Sequence, residues 1–97
     1  MAEKTAAMPL TCAKITVRMA IDDVIHSVES GWWSMAQEDR WKLVGTLRAL
    51  EPIFGQSIYD RVFAATNHFG PAEYDLDELR AVLEWLEDKY PDDALFE

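Results

Sequence analysis

The chain has 97 residues and a formal net charge of −9. Its hydrophobic content of 49%, with four Trp, four Phe and three Tyr, excludes an intrinsically disordered protein and predicts one small globular domain. No stretch reaches the roughly 18 apolar residues of a transmembrane helix, and a single cysteine excludes an intramolecular disulfide.

The two ends of the chain differ from its middle. Residues 1–10 are small and mostly polar, with Pro9 near their end, and we expect a flexible leader without the apolar run of a secretory signal. A helical domain is expected over residues 11–90, followed by a short acidic tail over residues 91–97. Because the single Cys12 suits a reducing compartment, these features predict a cytoplasmic protein.

The first predicted helix covers residues 11–30. Its apolar stripe follows the spacing i, i+4, i+7, i+8 and i+11, at Val17, Ile21, Val24, Ile25 and Val28. Apolar residues also alternate with period two over residues 14–20, which would suit an extended strand. We favour the helix because its pattern continues to Val28, and Gly31 supplies a stop. On a helix, Ile15 and Met19 project from the non-core side and need cover from the leader or from another chain.

The second predicted helix runs from Ser34 to about Leu50. Ser34 suits the N-cap position, and Gln37 three residues later completes a capping box. Pro52 ends this helix or opens the next segment, since proline disfavours a helical residue before it. Gly45 inside the helix marks either the close approach of a neighbouring helix or a break.

Two further helices complete the pattern. The third is predicted over residues 57–68 and ends before the Gly-Pro pair at residues 70–71. The fourth begins after Asp75 as its N-cap, has Glu78 in the reciprocal capping position, and is stopped by Pro91. Four segments joined by short turns predict an all-α fold, a small single domain of about four helices in an antiparallel bundle or an orthogonal helical arrangement.

Acidic residues are concentrated at the end of the chain. Ten of the eighteen lie in residues 73–97, which hold only two basic residues. Such a field favours a protein partner with a basic surface and argues against direct binding to nucleic acid or to a membrane. The predicted binding residues lie on the outer side of the last helix: Asp77, Glu78, Glu84, Trp85, Glu87 and Asp88.

The four tryptophans fall outside or at the edge of the apolar stripes. Trp85 lies beside the acidic side of the last helix, where an exposed indole would anchor a basic, grooved target. The alternative for all four is a mainly buried position between helices. A second interface is predicted at Trp32, Trp33, Trp41, Ile15 and Met19.

Candidate catalytic and metal-binding residues are few. Cys12 and His26 lie about 20 Å apart on one predicted helix, too far for a nucleophile pair. Asp23-x-x-His26 has the spacing found in di-iron bundles, but the residue three before His68 is Ala65, so the second motif is missing. We therefore expect no enzyme activity, no catalytic residue, no metal and no cofactor.

Two functions from different classes follow from these observations. The first is a non-catalytic protein-binding module, a small regulator or inhibitor that docks its acidic helical face on a basic surface, such as the nucleic-acid site of another protein. Phage-encoded inhibitors of host defence are an analogy of kind, since they are also small, acidic and compact. The alternative is a structural or assembly subunit that forms a homo-oligomer through apolar, Trp-rich surfaces. An enzyme or a metal protein ranks third.

Overall fold

The computed structural model describes residues 10–67 and 70–91. Within these ranges the chain forms five α-helices and a 3-10 helix, without a strand: α1 (Leu10–Glu29), α2 (Trp33–Ala49), α3 (Glu51–Phe54), α4 (Gln56–Thr66), the 3-10 helix Pro71–Glu73 and α5 (Leu76–Lys89). The predicted small all-α domain is confirmed, and residues 14–20 are helical. The predicted leader and acidic tail lie outside the described residues except at their inner ends, and so does the predicted end of the third helix at His68.

The four longer helices contact one another in a ring. α1 packs against α2 and α5, and α4 packs against the same two helices. The pairs α1–α4 and α2–α5 are therefore diagonal and contact each other only marginally. None of the helices in the described ranges combines the length and the apolar character that a membrane span requires.

The core lies where the predicted apolar stripes of the four helices meet. The residues with almost no exposed surface include Val17, Ile21 and Val24 from α1, Leu43 and Leu47 from α2, Ile58 and Val62 from α4, and Leu79, Val82 and Leu86 from α5. These positions follow the helical spacing in each segment, so the burial of one face per helix was predictable from the sequence.

The start of α2 differs from the prediction. The helix begins at Trp33, so Ser34 lies inside its first turn and caps nothing. Trp32 occupies the cap position without a side-chain hydrogen bond, and its carbonyl accepts from the amide of Ala36. Gly31 has φ +75°, a left-handed conformation that reverses the chain sharply and lets the next helix begin earlier than expected.

The N-terminus of α5 forms half of its predicted capping box. The carboxylate of Asp75 accepts from the backbone amide of Glu78 at 3.0 Å, as expected. The reciprocal bond is not formed, because the Glu78 carboxylate binds Arg61 and the Asp75 amide donates to the carbonyl of Ala65. Contacts with other parts of the fold have thus replaced the reciprocal bond between the Glu78 carboxylate and the Asp75 amide.

The glycines and Pro52 settle two open alternatives. Pro52 lies at the start of α3 and so opens a short extra helix, which Gly55 at φ +81° separates from α4. Gly45 lies inside an uninterrupted, exposed part of α2, and a Cβ added there would meet nothing within 4 Å. It marks neither a break nor a close helix contact.

Candidate functional site

Three of the six predicted acidic-face residues form a line along the outside of α5. Asp77, Glu84 and Asp88 fall within about 40° of one another on the helical wheel, opposite the buried stripe. All three are exposed, Asp77 by 98%. Among the described residues, Glu84 and Asp88 make no ion pair. We call these three carboxylates the acidic ridge. A groove of about 360 Å³, lined by Leu83, Glu84, Glu87 and Asp88, runs beside it.

Glu87 lies on the flank of α5 that faces α1, and basic side chains neutralise it. It accepts a hydrogen bond from Lys14 Nζ at 3.0 Å and one from Arg18 Nη1 at 2.6 Å. The Lys14 side chain is only 1% exposed, so this pair ties a buried ammonium to the surface of the helix. The hydrogen bonds from Lys14 and Arg18 lower the pKa of Glu87 below 4.5. This carboxylate holds α5 on α1 and is not free for a partner.

Glu78 has the same role on the opposite flank. Its two oxygens accept from Arg61 Nε at 2.9 Å and from Arg61 Nη2 at 3.2 Å, which joins α5 to α4. The hydrogen bond from Arg61 lowers the pKa of Glu78 and raises that of Arg61. The acidic face predicted from the sequence is therefore narrower in the folded chain, where two of its members bind arginine or lysine from other helices.

Trp85 is partly buried and does not stand beside the ridge as an exposed anchor. It packs against the core, and Tyr90 meets its ring edge-on at 6.1 Å between centroids. Lys89 Nζ lies 5.7 Å from the ring centroid. Trp85 lies just before the last turn of α5. The chain bends at Tyr90, and this end of the helix therefore covers the indole.

The exposed apolar side chains lie elsewhere. Every residue of the predicted second interface is substantially exposed: Ile15, Met19, Trp32, Trp33 and Trp41. Met35 and Phe63 join them and were not predicted. Within the described residues, none of the large exposed hydrophobic side chains belongs to α5. The surface that can bury aromatic area against a partner is thus on α1, α2 and α4.

Two tryptophans and a methionine project from the turn between α1 and α2. Trp32 and Trp33 are 49% and 47% exposed, and Met35 is similarly accessible. His26 meets the ring of Trp32 edge-on at 5.3 Å. We call Trp32, Trp33 and Met35 the hairpin tip.

The hairpin tip has an acidic surround. Between Arg18 and Arg40 the chain has no lysine or arginine but five acids: Asp22, Asp23, Glu29, Glu38 and Asp39. Glu29 binds Arg80, whose Nη1 also lies 3.6 Å from Asp77. Arg80 therefore joins the acidic hairpin to the first residue of the acidic ridge.

A second aromatic surface runs between α2 and α4. The guanidinium of Arg40 lies 5.3 Å from the ring centroid of Trp41 and 5.2 Å from that of Phe63. Phe63 stacks on Tyr59 at 5.8 Å, and Arg48 lies over Tyr59 at 5.8 Å. We call these five residues the Arg–aromatic strip. Neither arginine makes an ion pair among the described residues.

Trp32, Trp33 and Trp41 were predicted as part of a second interface, but the acidic hairpin around the tip and the arginines of the strip were not. Charge nearly balances over residues 1–72, which hides the run without lysine or arginine before Arg40. A window from residue 19 to residue 39, with five acids and no lysine or arginine, indicates the acidic hairpin. The strip had no signal along the chain, because its aromatic and cationic groups come from two helices whose contact only the fold creates.

The described residues contain no group of three or more His, Cys, Asp or Glu side chains that could hold a metal ion. His26 of the Asp-x-x-His pair contacts Trp32. Comparisons with protein families, with curated proteins and with solved structures gave no match. The functional argument therefore depends on the chemistry of the surfaces themselves.

Proposed function

We propose that this protein is a non-catalytic protein-binding module, a small cytoplasmic regulator or inhibitor that docks on a basic surface of another protein. The docking surface is the hairpin tip, and the acidic ridge of α5 adds to the field that guides the partner. Surfaces that bind nucleic acid are basic, and we infer a partner of that chemistry.

The observation that carries the proposal is the presence of two exposed indoles in a hairpin that is rich in acidic residues. Trp32 and Trp33 each leave about half of their surface in water, inside a run of five acids without a lysine or arginine. Burying the exposed half of one indole would remove on the order of 100 Å² of mainly apolar surface, about 2 to 3 kcal/mol. Tryptophan is the residue most enriched among binding hot spots.

The charges contribute mainly to the association rate and to partner choice. A net charge of −9 on a chain of this size creates a field that attracts basic surfaces and repels acidic ones. At physiological ionic strength that field extends about 8 Å from the surface. We therefore expect a complex whose formation weakens with added salt.

Exchange of the tip residues tests this function. The wild-type chain should capture partner proteins from cell lysate at about 50 mM salt. In the double variant Trp32→Ala/Trp33→Ala we expect the captured amount to fall at least about tenfold, as for other hot-spot residues. The matched control is Trp41→Ala, which removes a more exposed tryptophan on another face of α2. Quantitative mass spectrometry of captured proteins is the measurement, repeated at about 500 mM salt.

The proposal fails if the tip variant and the wild type capture the same proteins in equal amounts. It also fails if the captured proteins lack basic surfaces or if capture is unaffected by salt. Loss of capture in both Trp41→Ala and the tip variant would show that the effect is not specific to the tip and would contradict the proposal.

A second candidate function is assembly into a homo-oligomer. Ile15 and Met19, one turn apart on the outside of α1, are both substantially exposed and have no described neighbour that covers them. Met19 also lines a groove of about 280 Å³ between α1 and α2, so apolar area is available beside a concave surface. A stable symmetric dimer would bury such a stripe against its own copy.

A further inference from the structure

We propose that the Arg–aromatic strip is a docking site for the acidic ridge of a second copy of this chain. The strip consists of Arg40, Trp41, Arg48, Tyr59 and Phe63, and the ridge consists of Asp77, Glu84 and Asp88. This inference goes beyond docking on a basic partner through the hairpin tip and does not depend on it.

The strip holds cations that the fold has not paired with carboxylates. Acids outnumber lysine and arginine by eighteen to nine, and half of the lysines and arginines in the described ranges bind glutamate: Lys14, Arg18, Arg61 and Arg80. Arg40 instead donates from Nε to the hydroxyl of Thr66 and lies between the rings of Trp41 and Phe63. Arg48 lies over Tyr59 alone.

Exposure makes this arrangement a binding surface. Trp41 is 67% exposed, the most accessible large apolar side chain in the described chain, and Phe63 is also exposed. Gly45, one turn after Trp41, leaves the surface beside the indole open. Asp60, the nearest carboxylate on α4, lines the groove on the other flank of that helix with Arg61. The strip is therefore an apolar surface that carries two positive groups. Its electrostatic complement is an acidic ligand.

The ridge has the complementary charge and a comparable spacing. Arg40 and Arg48 lie two turns apart, about 12 Å along α2, and Asp77 and Glu84 are separated by about 10 Å along α5. Asp88 follows Glu84 by about 6 Å. A helix that lies along the strip can thus bring one carboxylate to each guanidinium. Ala81 lies between Asp77 and Glu84, and its small side chain leaves room for the Trp41 indole.

The two surfaces of one molecule cannot meet each other. α2 and α5 are diagonal in the ring of four helices, so the strip and the ridge face different sides of the bundle. Contact between copies is therefore heterologous, and each added copy keeps one free strip and one free ridge. We expect association that continues beyond a dimer, either as an open chain or as a closed ring.

Single-stranded nucleic acid fits the strip less well. Aromatic rings beside arginine do stack on bases, but sites for nucleic acid use on the order of six to ten phosphate contacts, whereas the strip supplies two guanidinium groups. The net charge of −9 would repel a long polyanion from every other side of the molecule.

Charge reversal with sedimentation velocity tests the proposal. The measurement is made at about 150 mM salt, where repulsion between the acidic copies is screened beyond about 8 Å. As the protein concentration is raised from about 10 μM to about 1 mM, the mass of the wild type should rise above the 11.1 kDa of the monomer. Arg48→Glu, which reverses the strip, and Glu84→Arg/Asp88→Arg, which reverses the ridge, should each lower the association constant at least about tenfold. An equimolar mixture of the two variants should associate again, because the intact ridge of the strip variant can dock on the intact strip of the ridge variant.

Two further variants control for net charge and for folding. Asp22→Arg/Asp23→Arg changes the net charge as much as the ridge variant does and should leave association unchanged or stronger. Trp41→Phe keeps an aromatic ring and should retain most of the association, whereas Trp41→Ala should lose it. Circular dichroism spectra that match the wild type show that each variant folds.

The remaining outcomes overturn the proposal. A wild-type chain that stays at 11.1 kDa has no such contact, and quenching of its tryptophan fluorescence by an oligothymidylate, lost in Trp41→Phe, would then assign the strip to nucleic acid. Association that survives both charge reversals would place the contact elsewhere. Loss in both variants without recovery in the mixture would exclude direct pairing. Each result can be obtained whether or not the tip binds a basic partner.

Discussion

At the scale of single residues, burial decides what each charge does. Lys14 has a side chain that is only 1% exposed and binds Glu87, whereas Glu84, one turn earlier on α5, makes no ion pair in the described chain. Both glutamates were predicted as equivalent members of a binding face. A buried ammonium needs a carboxylate, because removing one partner of such a pair leaves an uncompensated charge. Glu87 therefore stabilises the fold, and Glu84 stays available.

The pH dependence of stability should separate these two glutamates. Hydrogen bonds lower the pKa of Glu87 in the folded state, so the folded chain binds fewer protons there than the unfolded chain. Its stabilisation is present above about pH 4.5 and is lost as the pH falls through the lowered pKa. We expect Glu87→Gln to be less stable than the wild type at pH 7 and to lose less stability on acidification.

Urea unfolding between pH 7 and pH 3 measures this effect, with Glu84→Gln as the control. The control should keep the pH dependence of the wild type, because Glu84 has no cation to lose among the described residues. Parallel curves for the wild type and Glu87→Gln would contradict the role given to the Lys14–Glu87 pair.

At the scale of elements, backbone conformation explains why glycine is required at the turn between α1 and α2 but not inside α2. Gly31 has φ +75° and reverses the chain between the two helices. Gly45 is helical, exposed and free of neighbours at its Cβ position. The same residue type is therefore required at one site and unfavourable at the other.

Alanine at these two glycines should shift stability in opposite directions. Gly45→Ala should stabilise the chain by about 0.5 to 1 kcal/mol, because alanine has the higher helix propensity and no neighbour obstructs the methyl group. Gly31→Ala should destabilise it by about 1 to 2 kcal/mol, because an L-residue is strained at positive φ. Thermal unfolding of both variants checks the pair, and a shift of the same sign in both would refute the argument.

At the scale of the whole molecule, charge and apolar surface are distributed separately. The acidic ridge is on α5, which exposes no large hydrophobic side chain in the described residues, whereas the large exposed apolar side chains belong to the other three long helices and to the turn between α1 and α2. At the hairpin tip, exposed indoles lie in a stretch of chain that has five acids and no lysine or arginine. We therefore propose a basic partner for the tip and an acidic one for the strip.

The exposed stripe of α1 makes a further prediction at this scale. If Ile15 and Met19 form a dimer contact, Ile15→Glu/Met19→Glu should convert a dimer at tens of micromolar to the 11.1 kDa monomer. Light scattering measures this, and Arg48→Glu should leave that dimer intact. A wild-type monomer under the same conditions would exclude assembly through α1.

Local sequence patterns predicted the four longer helices and the core. Apolar residues repeat with helical spacing, so one face of each segment had to be buried, and the turns at Gly31 and at residues 70–71 followed from local backbone preferences. Such information is local, and it was enough to predict an all-α domain and the N-cap at Asp75.

Which polar and aromatic groups stay accessible to a partner depends on the packing of the helices. Glu78 and Glu87 meet cations from α4 and α1, Trp85 is covered by its own neighbours, and Arg40 joins rings from two helices. Apart from the cover of Trp85 by Tyr90, these contacts link residues far apart in the chain. The spacing of one helix predicts which side chains face outward, but their partners depend on how the four helices pack.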